Sequence, residues 1–106
     1  MLTFTATETP GPDNFFVSKN VFTSASPVSI TVSINEYPGS YALKVYNSAG
    51  EHIKTIDEDQ LSSPLSKTYP WDGTNKYGDK CATGVYVIYL IEPLKRKLAR
   101  VILVNQ

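Results

Sequence analysis

Residues 69–90 read YPWDGTNKYGDKCATGVYVIYL. They hold the single tryptophan, Trp71, and the single cysteine, Cys81. Asp72, Gly73, Asn75, Gly78 and Asp79 crowd behind Trp71. Asx side chains of this kind cap their own backbone amides, and glycine supplies positive φ, so the segment reads as a tight polar turn. Thr83-Gly84 marks a second turn, and the run from Val85 to Leu90 is β-branched, aromatic and apolar on both faces. The stretch therefore predicts a strand ending at Trp71, a short return past Cys81, and a strand in the middle of a sheet. Its outer face should be covered in part by neighbouring side chains or by a partner.

Upstream, Val28, Ile30, Val32 and Ile34 alternate with Ser29, Thr31 and Ser33. That is a strand with one buried face and one wet face. Tyr41, Leu43 and Val45 form the inward set of the next strand, after a turn in which Pro38-Gly39 suits a type II bend. Residues 47–50 close a hairpin into a strand whose apolar signal is Ile53 and Ile56. Residues 57–60, Asp-Glu-Asp-Gln, read as an acidic loop. Residues 15–22 are β-prone with Lys19-Asn20 in their middle, and Ala99, Val101 and Leu103 mark the last strand. Leu2 to Thr7 alternate, and the Pro- and Gly-rich segment after them is neither helix nor central strand. Residues 1–14 are thus a linker or first edge strand, and residues 15–106 a single domain. No stretch carries helical periodicity. Seven to eight short strands punctuated by turns predict an all-β, antiparallel sandwich or barrel.

With 106 residues, the chain buries enough surface to fold without metal or disulfide. Ten basic and ten acidic residues balance to a net charge of zero. That leaves no basic stripe for nucleic acid beyond Lys95-Arg96-Lys97 at a hairpin tip. No apolar run approaches the length of a membrane-spanning helix, so membrane insertion is not expected.

From Asn20 onward the chain resembles the FlgD-like immunoglobulin-like domain, the C-terminal sandwich of the flagellar hook-capping protein. The matching elements are Asn20-Val21-Phe22 before the alternating strand, Val45-Tyr46-Asn47 with Gly50 and Ile53, and above all Trp71-Asp72-Gly73, Asn75, Gly78 and Thr83-Gly84-Val85-Tyr86. Arg100 to Val104 supplies the closing aliphatic strand. Val21 stands where the family usually has proline, and Cys81 where an aliphatic residue is usual. The resemblance implies an immunoglobulin-like antiparallel β-sandwich without catalytic residues, appended to secreted or surface bacterial proteins. Some relatives serve as C-terminal sorting tags for type IX secretion.

The residues allow three local chemistries. Asp72, Asn75 and Asp79 bring oxygen donors to one glycine-bearing loop, which would suit Ca²⁺, although the spacing is not that of an EF-hand and the same residues cap turns. Otherwise no cofactor is expected. Among Tyr37, Tyr41, Tyr46, Tyr69, Tyr77 and Tyr89, alternation sends Tyr46 and Tyr89 outward on one sheet, as a contact for a glycan or a protein partner. His52 is the only histidine, expected in solvent, while Cys81 is expected inside, so no activated nucleophile is marked. A Lys–Asn isopeptide bond, for instance between Lys97 and Asn105, lacks an inward-facing carboxylate to catalyse it. The expected function is a non-catalytic module of a bacterial extracellular or cell-surface protein, a spacer or docking domain near the C-terminus of its parent. Its partners are other domains of that parent or a surface or secretion assembly. A type IX sorting domain and a carbohydrate-binding module are the alternatives.

Overall fold

The computed structural model describes residues 14–105, and the linker or first edge strand expected over residues 1–14 lies outside them except for Asn14. Eight strands follow in chain order: β1 (Asn14–Val17), β2 (Val21–Phe22), β3 (Val28–Ile34), β4 (Gly39–Asn47), β5 (His52–Leu61), β6 (Leu65–Trp71), β7 (Gly84–Ile91) and β8 (Arg96–Leu103). Among the described residues there is no helix. One sheet has the order β1-β3-β6 and the other β2-β8-β7-β4-β5. The two pack face to face, as the alternation requires.

Inward residues from both sheets form one core. Val28, Ile30, Val32 and Ile34 of β3 face Leu43 and Val45 of β4, Ile88 and Leu90 of β7, and Val101 and Leu103 of β8. Trp71 closes this core at one pole. Its ring centroid lies 5.3 Å from Phe22 and 5.5 Å from Tyr86, and its Nε1–H donates to the Thr74 carbonyl at 2.9 Å. The indole hydrogen is thus satisfied while the ring is buried. The Tyr86 hydroxyl donates to the Ala82 carbonyl four residues upstream at 2.6 Å, as a tyrosine corner does in sandwich folds.

The β-prone stretch 15–22 divides between the two sheets. β1 pairs with β3 in one sheet, and after Ser18-Lys19-Asn20 the chain crosses to pair β2 with β8 in the other. That second pairing is parallel, the one departure from an antiparallel ladder among the named strands. The crossing ties the two sheets along one side, and the Ile102 and Val104 amides donate to the Asn20 and Phe22 carbonyls.

Three local expectations need correction. Residues 57–60 are not a loop but the second half of β5, paired with β4 from Leu43↔Asp57 to Ser40↔Gln60. The Pro38-Gly39 bend is not type II: the Tyr37–Pro38 bond is cis and Gly39 has φ 156° instead of the roughly +80° of that turn. Close approach fixes glycine there, since a Cβ would meet Pro93 Cβ at 2.7 Å. Finally, a carboxylate does point inward. Glu92 is buried, with Lys97 Nζ 3.6 Å away. Lys97 and Asn105 nonetheless flank opposite ends of β8, about 26 Å of extended chain, so they cannot form an isopeptide bond.

Candidate functional site

The loop after Trp71 is built by its own side chains. Asp72 Oδ1 accepts from the Thr74 amide at 3.1 Å and the Thr74 hydroxyl at 2.7 Å. Asn75 Oδ1 accepts from the Tyr77 and Asp79 amides at 2.9 and 3.0 Å. The hydrogen bonds from Thr74, the side chain's first, hold the Asp72 carboxyl below its ordinary value. Two of the three oxygen-bearing residues suited to Ca²⁺ are therefore engaged with backbone of the same loop. Among the described residues no group of three or more His, Cys, Asp or Glu is placed to hold a metal. Gly73 and Gly78 take φ of 85° and 87°, which the turn demands. Gly84 opens β7, and a Cβ there would meet nothing within 4 Å.

The tyrosines separate into inward and outward groups, as alternation implies for Tyr41, Tyr46 and Tyr89. Tyr41 from β4 and Tyr69 from β6 both turn inward and donate to Asp57 Oδ2, at 2.8 and 2.6 Å. The hydrogen bond from Tyr69, followed by that from Tyr41, keeps the Asp57 carboxyl low. Burial, and then the carboxylate itself, pushes both phenols up. Tyr37 and Tyr77 stand exposed elsewhere. Tyr46 and Tyr89 face outward from neighbouring strands of the five-stranded sheet, with ring centroids 5.4 Å apart and edge to face.

His52 joins this pair instead of standing in solvent. Its ring lies 5.5 Å from that of Tyr46, and its Nε2 is 2.9 Å from Thr55 Oγ1. Cys81 is buried, and burial pushes its thiol up, away from the thiolate that nucleophilic chemistry requires.

Around Tyr46 and Tyr89 the outer face of the sheet forms a groove of about 350 Å³, lined also by Val87, Ile91, Arg96 and the 47–50 hairpin. The hairpin wall is firm because Asn47 Oδ1 accepts from the Ala49 and Glu51 amides at 3.0 and 2.9 Å. Toward the opposite end of the face Val21, Ile102 and Val85 stand in cross-strand register and are 53%, 42% and 40% exposed. The outer face of β7 is thus apolar along its length, as its sequence implies. Arg96 and the hairpin wall were not foreseen, because their meeting depends on the order of the strands.

Among the described residues no helix is long and apolar enough to cross a membrane. No match was found among curated proteins. Among solved structures, the chain is similar to PorZ, an essential bacterial surface component of the type-IX secretion system of Porphyromonas gingivalis. The TM-score is 0.54 at 19% identity, over 85% of this chain and 11% of that one, a likeness in fold. The chain thus spans about a tenth of the length of that protein. The profile of the FlgD Ig-like domain matches residues 18–90, from the sheet crossing to the end of the β7 core. With the two-sheet sandwich and the Trp71 loop in place, the chain belongs to the FlgD Ig-like domain family.

Proposed function

We propose that this domain is a non-catalytic docking module of a bacterial extracellular or cell-surface protein. Its partners are other domains of its parent or a surface assembly. One observation carries this reading: the outer face of β7 is as apolar as its inner face, and neighbouring side chains cover it only in part, leaving Val85 exposed and Val87, Tyr89 and Ile91 half-buried. A sandwich serving only as a spacer would present a polar outer face there. The test fuses the module to a fluorescent reporter exported to the cell surface and compares it with Val87→Asp. The variant is expected to melt within a few degrees of wild type while retention at the surface is lost. Equal retention of both would end the docking reading.

A second reading, a sorting domain for type IX secretion, is favoured by the shared fold with a component of that system. The same fusion, expressed in hosts with and without a working type IX system, separates the two. Surface delivery that requires the system supports sorting, and delivery independent of it supports docking.

A further inference from the structure

The geometry points to an extended, acidic polypeptide segment as the occupant of the groove on the five-stranded sheet. This rests on the docking reading above and adds the chemistry of the partner. The floor consists of Val87, Tyr89 and Ile91, successive same-face residues of β7, so the groove runs along a strand. From Val87 to Ile91 is about 13 Å, the span of four extended residues. Each floor residue has a cation directly beside it in the ladder. Arg100 is opposite Val87, Lys44 opposite Tyr89, and Arg96 opposite Ile91. Two of these cations stand on β8, at the two ends of the groove, and the third on β4 across the floor. On the same face Glu58 is opposite Ala42, two strands from the floor, and on the hairpin wall the Glu51 carboxylate is engaged by the Asn47 side-chain amide, which donates to it at 2.7 Å.

A chain whose apolar side chains lie on Val87 and Ile91 can therefore place carboxylates over Arg96 and Arg100, about 13 Å apart. The hydroxyls of Tyr46 and Tyr89 have no hydrogen-bond partner among the described residues, unlike those of Tyr41, Tyr69 and Tyr86. They are free to donate to the backbone carbonyls of such a segment. Tyrosine at a contact of this kind supplies an apolar ring and a polar tip together.

The test is a selection of random displayed heptapeptides on the full chain, with parallel selections on Tyr89→Ala and on the double variant Arg96→Glu, Arg100→Glu. All altered residues lie on the outer face, and melting curves check that each variant folds. Enrichment of Asp and Glu over Lys and Arg by about threefold or more is expected, alternating with apolar residues. Synthetic versions of the selected peptides should shift the amide resonances of Tyr46, Val87 and Tyr89. They should bind about tenfold more weakly to the double variant and weaken with added salt. Peptides of neutral or basic composition that still need Tyr89 would overturn the acidic partner while leaving the docking face standing. Peptides indifferent to both variants would overturn the inference and the docking reading together. Failure to enrich any peptide would overturn the inference, as would oligogalacturonide shifting the same resonances where the peptides do not.

Discussion

The Tyr69 hydroxyl of the three-stranded sheet donates to Asp57 Oδ2 of the five-stranded sheet at 2.6 Å, closing the open side of the sandwich. Tyr41 donates to the same oxygen at 2.8 Å, so one carboxylate holds two strands of its own sheet to one of the other. The opposite side is closed by the chain itself, where it crosses from β1 to β2. Hydrogen bonds to an ionised acceptor in a partly desolvated seam are among the stronger ones a fold of this size can make.

Asp57→Ala should therefore destabilise the domain more than Tyr69→Phe does. The alanine variant strands two inward phenols without an acceptor, a loss of about 2–3 kcal/mol, whereas the phenylalanine variant leaves Tyr41 in place and costs about 1–2 kcal/mol. Urea midpoints at constant slope measure both. Equal stability of Asp57→Ala and wild type would show that the triad contributes nothing.

The same triad sets how stability varies with pH. The folded Asp57 carboxyl lies below its ordinary value, so its contribution is present above about pH 4 and is lost as pH falls through the folded value. The Tyr41 and Tyr69 phenols lie above theirs, so they keep their protons in the fold. Their contribution is complete below about pH 10 and declines at higher pH, where the unfolded chain ionises first. Melting temperatures from pH 3 to 11 should fall at both ends. Asp57→Asn should flatten the acid limb, and an unchanged acid limb would assign that fall to other carboxylates.

Two glycines of the family pattern should respond in opposite ways. Gly73 combines a φ of 85° with a Cβ position 2.9 Å from both Leu103 δ-carbons, inside a packed core. Gly73→Ala must strain the turn and displace Leu103, at a cost of about 1–3 kcal/mol. A Cβ at Gly84 meets open space and no positive φ is involved, so Gly84→Ala should be neutral or stabilise by up to about 1 kcal/mol. Thermal melts of the pair check this, and comparable losses would mean that Gly84 is fixed by something other than backbone and space.

What the sequence discloses depends on how local the cause is. β3 was legible to the residue because each inward position is aliphatic and each outward one is Ser or Thr, and no distant partner is needed to explain either set. β7 was legible as a central strand because both of its faces are apolar. The second half of β5 was not legible. Residues 57–60 have the composition of a loop, and only Tyr41 and Tyr69, 16 and 12 residues from Asp57, turn that acid into an inward strand residue. The break at Lys19-Asn20 was visible, but a change of sheet is a property of strand order, which no local pattern encodes. The groove shows the same division. Alternation sent Tyr46 and Tyr89 outward, while Arg96 reached them only because β8 lies beside β7.

The loop of residues 72–79 should not depend on calcium for stability. Asp72 and Asn75 each spend one side-chain oxygen on two hydrogen bonds within the loop, which does for the turn what an ion would otherwise do. Melting in excess Ca²⁺ and in excess chelator should agree within about 1 °C, since an ion bound only by the fold raises Tm by mass action. Asn75→Ala should cost about 1 kcal/mol under either condition. A rise of several degrees with Ca²⁺ that Asn75→Ala removes would establish a metal site.

Trp71 should be the largest single contributor to stability among the side chains of this loop and its flanks. Its ring is 1% exposed and wedged between Phe22 of β2 and Tyr86 of β7, so truncation opens a cavity shared by both sheets. Trp71→Ala should cost about 3–5 kcal/mol. Trp71→Phe keeps most of the volume but leaves the Thr74 carbonyl without the indole donor, and should cost less, about 1–2 kcal/mol more than a pure packing change. As the only tryptophan, residue 71 also reports on itself. Native emission should be blue-shifted and shielded from iodide, and should shift red in the same urea transition that circular dichroism records. A tryptophan quenched as readily in the native protein as in urea, or a Trp71→Ala variant melting with wild type, would remove the indole from its place at the closed pole of the core.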